Sequence, residues 1–243
     1  MREKIYLILI IIFLTVPLGP IFGAEKKNQG KKIPILMYHY IRDYSDINDP
    51  LGINLSVAPK IFSEQLDTIK KLGYKTINFQ DVVNNNLPAK PIILTFDDGY
   101  EDFYTAAFPE LRKRHMKAVT YVIASTINLP RYMTLEQIKV LAKSNIEIGG
   151  HTWSHPDLRF VNNKKLTWEI SSSKKYLEDT LKKPIISFAY PSGKYDNRTI
   201  KEVKGAGYKF AVTTQNGLTD MSRSLTLTRL RIQNKTNLES FLK

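Results

Sequence analysis

Apolar and polar positions follow one another along the chain in two patterns, one typical of buried strands and one typical of amphipathic helices. The short apolar runs that predict strands are Ile33–Tyr38, Tyr74–Ile77, Pro91–Phe96, Ala118–Ala124, Ile146–Ile148, Ile185–Ala189, Lys209–Thr213 and Leu225–Ile232. Apolar residues that recur every three or four positions predict helices from Pro59 to Leu72, over Ala106–Arg114, from Thr134 onward, over Lys164–Lys182 and over Thr199–Lys204.

This alternation of strands and helices predicts an α/β fold built on a parallel sheet or a barrel. Neither an internal repeat nor a second linker interrupts the chain after Ile33, so we expect a single catalytic domain over residues 33–243. In such folds the chemistry collects at the carboxyl ends of the strands. The polar residues that directly follow the apolar runs are therefore the candidate functional residues.

The first 24 residues have the composition of an export signal. Arg2 and Lys4 precede an apolar run, Ile5–Leu18, and the small residues Gly23 and Ala24 follow it. The run is shorter than the about 20 apolar residues that a spanning helix needs, which favours a secretory signal peptide. Bulky residues near the cleavage position leave an uncleaved N-terminal anchor open. Residues 25–32 predict a polar linker, and either form of the leader predicts an extracellular or cell-envelope location.

The chain carries 36 Lys and Arg against 23 Asp and Glu, a formal net charge of +13. This charge favours anionic surroundings, such as an anionic membrane surface or an acidic wall polymer, although a solvated basic surface explains it equally well. The basic residues are scattered, which argues against nucleic acid as a partner. Cysteine is absent, so any transition metal must be bound by His, Asp or Glu.

Asp97 and Asp98 end the most apolar predicted strand, within Thr95–Gly99 (TFDDG). Two adjacent carboxylates at the end of a buried strand are costly unless a cation compensates them, although Asp-Gly also suits a surface turn. His151 and His155, four residues apart, follow another predicted strand. Two histidines and a carboxylate form a standard catalytic metal set with positions left for water and substrate.

A third cluster, Phe188–Gly193 (FAYPSG), also follows a predicted strand. Its proline and glycine restrict the backbone and could direct an N–H group into a site, although a plain strand-to-loop turn is the alternative. Together the three clusters resemble the polysaccharide deacetylases with a NodB-homology domain, carbohydrate esterase family 4, over about Ile33–Ile232. The resemblance implies a distorted (β/α) barrel, usually with seven parallel strands.

The resemblance also implies roles for individual residues. It makes Asp98, His151 and His155 the ligands of a divalent metal, and Asp97 the general base that accepts a proton from the attacking water. It implies that the backbone N–H of Ser192, the residue after the motif's proline, helps to hold the developing oxyanion. Zinc is the expected metal, and cobalt, nickel or manganese would suit the same ligands.

The sequence departs from the family pattern at two places. Ala189 stands where the family carries an arginine, and no histidine follows His155, although the family's late histidine protonates the leaving amine. One branch, the poly-β-1,6-N-acetylglucosamine deacetylases, resembles this chain in having an early Tyr-His element, which implies that His39 is the proton donor; a buried core histidine is the alternative. Arg229 and Arg231 are the candidates to orient Asp97.

Aromatic residues near the motifs are candidates to bind sugar rings. Trp153, Tyr40 and Tyr190, with the adjacent Pro191, could form walls of the substrate site, and ordinary core packing is the alternative interpretation.

The leading functional hypothesis is a metal-dependent hydrolase that removes acetyl groups from N-acetylglucosamine units of an extracellular polysaccharide. Poly-β-1,6-N-acetylglucosamine is the favoured polymer, and peptidoglycan or chitin oligomers are the alternatives. A non-catalytic sugar-binding protein on the same fold is the hypothesis of another class, motivated by Ala189 and the missing late histidine. The sequence leaves the oligomeric state open.

Overall fold

The structure is a computed structural model that describes residues 32–242. The predicted leader over residues 1–24 and residues 25–31 of the predicted linker lie outside the described residues. Among the helices of residues 32–242, none has the length and apolar character needed to cross a membrane.

Seven parallel strands close into a barrel, which confirms the predicted fold class. They are β1 (Ile35–Tyr38), β2 (Pro91–Phe96), β3 (Ala118–Val122), β4 (Ile146–Gly150), β5 (Ser187–Ala189), β6 (Phe210–Asn216) and β7 (Leu227–Arg231). Each strand pairs with the next one along the chain, and β7 pairs with β1 to close the ring. The predicted strand near Tyr74 is present as Lys75–Ile77 and pairs with the first half of β2.

Helices surround the barrel and bury their apolar faces against it. They cover Pro50–Leu55, Pro59–Lys71, Phe79–Val83, Phe108–Lys113, Leu135–Ala142, Asn163–Thr167, Ser173–Leu181, Asn197–Gly205 and Leu238–Phe241. The predicted helix start at Thr134 is confirmed, because the Thr134 hydroxyl accepts from Gln137 N while the Gln137 side chain accepts from Thr134 N. Three short helices were not predicted from the sequence, Pro50–Leu55, Phe79–Val83 and Leu238–Phe241.

Two predicted elements are interrupted in the structure. The first predicted strand divides at Pro34, which has no N–H to donate: Lys32–Ile33 pairs antiparallel with Thr219–Asp220, and β1 begins at Ile35. The long predicted helix contains a π-helical turn, Trp168–Ser172, between its two α-helical parts. Such turns widen a helix locally and re-aim the side chains they carry.

The interior of the barrel is apolar at one end and polar at the other. Successive side chains of a strand point to opposite faces, so Ile93, Thr95 and Asp97 share the inward face along and just beyond β2. Ile93 belongs to a buried apolar cluster with Ile35 and Val119, whereas Thr95 and Asp97 are buried polar residues. The polar end is the carboxyl end of the strands, where the candidate residues lie.

Candidate active site

A cleft of about 550 Å³ opens at the carboxyl ends of the strands. The predicted residues that line it are His39, Asp97, Asp98, His151, His155, Ser192 and Arg231. They come from the ends of β1, β2, β4, β5 and β7, which a closed parallel barrel brings to one rim. The structure therefore brings together residues that are as far apart as 39 and 231 in the sequence.

Asp98, His151 and His155 form the one group of three potential metal ligands within residues 32–242. Asp98 Oδ1 lies 3.2 Å from His151 Nε2 and 3.6 Å from His155 Nε2, and the ligand atoms all lie within 4.8 Å of one another. His151 Nδ1 lies 2.7 Å from the carbonyl oxygen of Ala189. Because a carbonyl can only accept, Nδ1 carries the hydrogen, and Nε2 offers its lone pair to a metal.

The charges around these ligands favour a cation. Burial alone would lower the pKa of His151, but the adjacent Asp98 carboxylate outweighs it and raises that pKa above the usual value. Burial, together with the neighbouring His151, lowers the pKa of His155 to about 4, so its imidazole is neutral as a metal ligand must be. The donor set fits a divalent ion such as zinc, with two imidazoles and one carboxylate.

Left-handed backbone conformations shape the loops of the site. Asp98, Thr152, His155 and Ser192 have φ angles of 73°, 65°, 58° and 53°. Each such non-glycine residue costs about 1–3 kcal/mol, and Thr152 is the least favourable because it is β-branched. These turns aim the side chains of Asp98 and His155 at the same point, so the surrounding contacts must hold the strained loops in place.

Asp97 is buried at 4% exposure and is bound by Arg229, which is fully buried. Arg229 Nη1 and Nη2 donate to the two carboxylate oxygens at 2.7 Å each, and Arg229 Nε donates to the carbonyl oxygen of Thr213 at 2.7 Å. Burial acts to raise the pKa of Asp97, but the charge and hydrogen bonds of Arg229 hold it well below its ordinary value. Asp97 is therefore an oriented carboxylate throughout the neutral pH range.

Arg231, the other arginine predicted to orient Asp97, does not contact it. Arg231 is paired with Met37 of β1 in the parallel sheet. Arg229 lies two residues before Arg231 on β7, further from the carboxyl end of the barrel, and its long side chain extends toward that end to contact Asp97. Arg231 is partly buried, lines the cleft, and makes no hydrogen bond or ion pair within the described part of the chain.

His39 lies beside Asp97, with its Nε2 atom 3.7 Å from Asp97 Oδ2. The register of β1 and β2 explains this, because Met37 pairs with Thr95 and the inward residues two positions further on are His39 and Asp97. Burial lowers the pKa of His39; Asp97 and Asp98 oppose this shift, and Arg229 and Arg231 reinforce it. The predicted proton donor, His39, therefore lies close to the predicted base, Asp97.

Comparison with known proteins identifies this arrangement. The family model for polysaccharide deacetylases matches residues 84–211, which carry Asp97, Asp98, His151 and His155. The chain belongs to the polysaccharide deacetylase family. The Streptococcus pyogenes deacetylase PplD, solved in complex with acetate, has 36% identity and a TM-score of 0.81, covering 87% of this chain and 97% of its own.

Two further relatives extend the comparison. A polysaccharide deacetylase from Bacillus cereus has 33% identity and a TM-score of 0.78, covering 87% of this chain and 68% of its own. The poly-beta-1,6-N-acetyl-D-glucosamine N-deacetylase of Staphylococcus epidermidis is 23% identical over 248 residues, covering 88% of this chain and 86% of its own. The protein is thus a deacetylase enzyme.

Of the third motif, Phe188–Gly193, Ser192 lines the cleft, whereas Tyr190 and Pro191 do not. Ser192 is exposed at the cleft, with the left-handed φ already described. Tyr190 and Pro191 are buried, and the Tyr190 hydroxyl donates to the carbonyl oxygen of Leu225 at 3.1 Å. Neither residue lines the cleft, so this geometry does not support their predicted role as a substrate wall.

The other two predicted sugar-binding aromatics also have their rings engaged. Trp153 packs on Trp168, with 5.1 Å between ring centroids, and does not line the cleft. Tyr40 is covered on one side by Tyr100 at 3.7 Å and on the other by the guanidinium of Arg42 at 3.6 Å, so neither face of its ring is free for a sugar.

Sequence reasoning missed two residues of this site, Tyr100 and Glu169. Tyr100 lines the cleft directly after the Asp97–Gly99 turn. Glu169 is fully buried behind the loop that carries the histidine ligands. The sequence did contain an indication that Glu169 is special. At helical spacing it falls on the buried face with Leu166, Ile170 and Leu177, and acidic residues are rarely buried without a partner.

Proposed function

We propose that this deacetylase removes acetyl groups from N-acetylglucosamine units of an extracellular polysaccharide. The observation that carries the proposal is the convergence of an ionised, oriented carboxylate, Asp97, and a three-residue metal ligand set within one cleft. The export signal predicted over residues 1–24 supports the extracellular location.

Asp98, His151 and His155 would hold the divalent metal, with zinc favoured and cobalt, nickel or manganese accepted by the same donors. Such an ion supplies a positive centre that polarises the acetyl carbonyl and makes a water molecule easier to deprotonate at neutral pH. The remaining steps belong to the protein's own side chains.

Asp97 accepts the proton of the attacking water, since its contact with Arg229 keeps it ionised and fixes its orientation. The backbone N–H of Ser192 donates a hydrogen bond to the oxygen that becomes negative in the transition state. His39, at 3.7 Å from Asp97, passes the proton that Asp97 has accepted to the nitrogen that leaves as the free amine, so the step does not need an imidazole that is already protonated. Acetate and a glucosamine unit are the products.

The hypothesis of a non-catalytic sugar-binding protein was motivated by two groups missing from the family pattern, and the geometry offers a candidate substitute for each. Arg229 provides the contact to Asp97 that the family's missing arginine would make, although it comes from β7 rather than from the third motif. His39, from β1, lies 3.7 Å from Asp97, which supports it as the proposed proton donor. Both contacts support a catalytic protein in which groups missing from the family's usual motifs come from other strands.

Poly-β-1,6-N-acetylglucosamine is the proposed polymer, because the Staphylococcus epidermidis relative that spans most of this chain carries that substrate in its name. The test measures acetate release from oligomers of this polymer, from chitin oligomers and from peptidoglycan at equal concentrations of N-acetyl groups. We expect the β-1,6 oligomers to give the fastest release. Faster release from either of the other two would contradict the choice of polymer.

Arg231 favours peptidoglycan as the second candidate. Its guanidinium lines the cleft without a partner among the described residues, and an arginine of this kind binds carboxylates well. If an acidic polymer is the substrate, Arg231→Gln should slow acetate release from peptidoglycan, which carries carboxylates, by about tenfold and leave release from neutral oligomers unchanged. Equal losses on both substrates would remove the argument for an acidic polymer.

A further inference from the structure

The loop between the two histidine ligands rests on a buried carboxylate that no step of the proposed mechanism uses. Glu169 Oε2 accepts from Ser154 N at 2.8 Å and from Trp153 N at 3.0 Å, and Oε1 accepts from the Ser154 hydroxyl at 2.6 Å. The Trp153 N–H is shared with the carbonyl oxygen of Glu169, also at 3.0 Å. The Glu169 side chain thus accepts three hydrogen bonds from Trp153 and Ser154, which lie between His151 and His155 in the sequence.

Glu169 is costly to bury, which argues that the contact has a purpose. Its side chain is fully buried and has no Lys, Arg or His within ion-pair distance among residues 32–242. A carboxylate in this position is tolerated only where hydrogen bonds replace its hydration. The π-helical turn Trp168–Ser172 carries Glu169 and presents it to the loop, at a place where a regular helix would be the easier structure.

The loop that Glu169 holds is strained at both of its ends. Thr152 and His155 have φ angles of 65° and 58°, and only the Thr152 hydroxyl, which accepts from His155 N at 2.9 Å, supports the turn from within. Without external support the loop would relax toward unstrained conformations and separate the two imidazoles. Ala124 N and Ser125 N donate to the carbonyl oxygens of Thr152 and Trp153 at 3.1 and 2.9 Å, whereas the three hydrogen bonds to Glu169 hold the N–H groups of Trp153 and Ser154 and the Ser154 hydroxyl before any metal arrives.

We propose that Glu169 is a positioning residue for the metal site: it holds Trp153 and Ser154 so that His151 and His155 converge on Asp98. The expected consequence of its removal is a loss of metal affinity, since removing groups that orient metal ligands typically weakens binding by about 10–100-fold. This proposal depends on the proposed function only in that both require a metal bound by Asp98, His151 and His155.

The test titrates purified, metal-free protein with Zn²⁺ against a chelator of known affinity, and with Co²⁺ by its visible absorption, which reports ligand geometry. Glu169→Ala is expected to raise the metal Kd by about 10–100-fold and to change the Co²⁺ spectrum. Glu147→Ala is the matched control: Glu147 is also a largely buried carboxyl group, accepting from Ser187 Oγ at 2.7 Å and Gln80 N at 3.1 Å, but it does not touch the histidine loop.

Both alanine variants should lose stability, so thermal unfolding of the metal-free proteins is measured alongside. A merely structural role predicts that the two variants lose stability and that both keep the wild-type Kd. That result, or an equal loss of affinity in Glu147→Ala, would overturn the proposal.

If Glu169→Ala does not fold, Glu169→Gln and Ser154→Ala decide the matter. The side-chain amide in the first of these variants keeps an acceptor for the two N–H groups, and the second variant removes only the 2.6 Å contact, so each should lose less affinity than the full truncation. Wild-type Kd values in both would contradict the proposal. No substrate is used, so a failure here is separate from a failure of the proposed deacetylation.

Discussion

Asp97→Asn is expected to lower the rate of acetate release by about 10²–10⁴-fold while the protein still binds one equivalent of metal. The amide has nearly the same shape as the carboxylate but cannot accept a proton at neutral pH. Asp97 is not one of the three ligands that converge on the metal position, so the metal should remain. The effect is large because Asp97 is the only ionised carboxylate lining the cleft besides the ligand Asp98, within the part of the chain that the structure describes.

The measurement compares acetate release and metal content in the same preparations. His155→Ala is the informative companion variant, since it removes a ligand and should lose both metal and activity. Turnover by Asp97→Asn within about threefold of the wild type would show that some other group accepts the proton. Loss of metal from that variant would show that Asp97 is a ligand rather than a base.

Arg229→Gln should produce the largest loss of stability of any substitution at the site. Arg229 is fully buried and donates to Asp97 through two hydrogen bonds of 2.7 Å, and further to Thr95 and Thr213. Removing one partner of a buried ion pair leaves an uncompensated charge, which costs about 3–5 kcal/mol. The pKa of Asp97 should then rise, because the guanidinium is what holds it below its ordinary value.

A double-mutant cycle separates the ion pair from the rest of the packing. The double variant Asp97→Asn with Arg229→Gln removes both charges, so no uncompensated charge stays buried, and it should recover much of the stability lost in Arg229→Gln alone. Activity should stay low in the double variant. The free energies of unfolding from urea titrations give the coupling; strictly additive losses would contradict a direct, strong pairing of Asp97 with Arg229.

The grouping of the candidate metal ligands with the candidate base was predictable because their chemistry is unusual for their position. Asp97 and Asp98 end an apolar strand, and His151 and His155 follow another strand, so the barrel's geometry alone brings them to one rim. The position of His39 could be anticipated for the same reason, since it ends β1. In each case the residue type and the end of a strand were both visible in the sequence.

Which arginine pairs with Asp97 was not predictable. Arg229 and Arg231 are two residues apart on β7 and share the inward face, so the pattern gives them equal claims. The choice depends on the register of β7 against β1, which places Arg231 beside Met37. Register is a property of the whole closed ring, and the local sequence does not contain it.

Which aromatic rings could meet a sugar was not predictable, because a sequence does not show which face of a ring is free. Tyr40 and Trp153 lie close to the motifs in the chain, but their rings are engaged by Tyr100 and Arg42, and by Trp168. Glu169 was not predicted for a different reason. It lies outside every motif, and only the three-dimensional contact with Ser154 and Trp153 connects it to the site.

Reconstitution with zinc shows whether deacetylation depends on a metal held by Asp98, His151 and His155. Wild-type protein is stripped with a chelator, dialysed, and titrated with Zn²⁺ while acetate release from N-acetylglucosamine oligomers is followed. We expect no release above background without metal, and a rise that levels off at about one equivalent of zinc. Release by the stripped protein at the rate of the zinc-loaded protein would rule out a metal-dependent deacetylase.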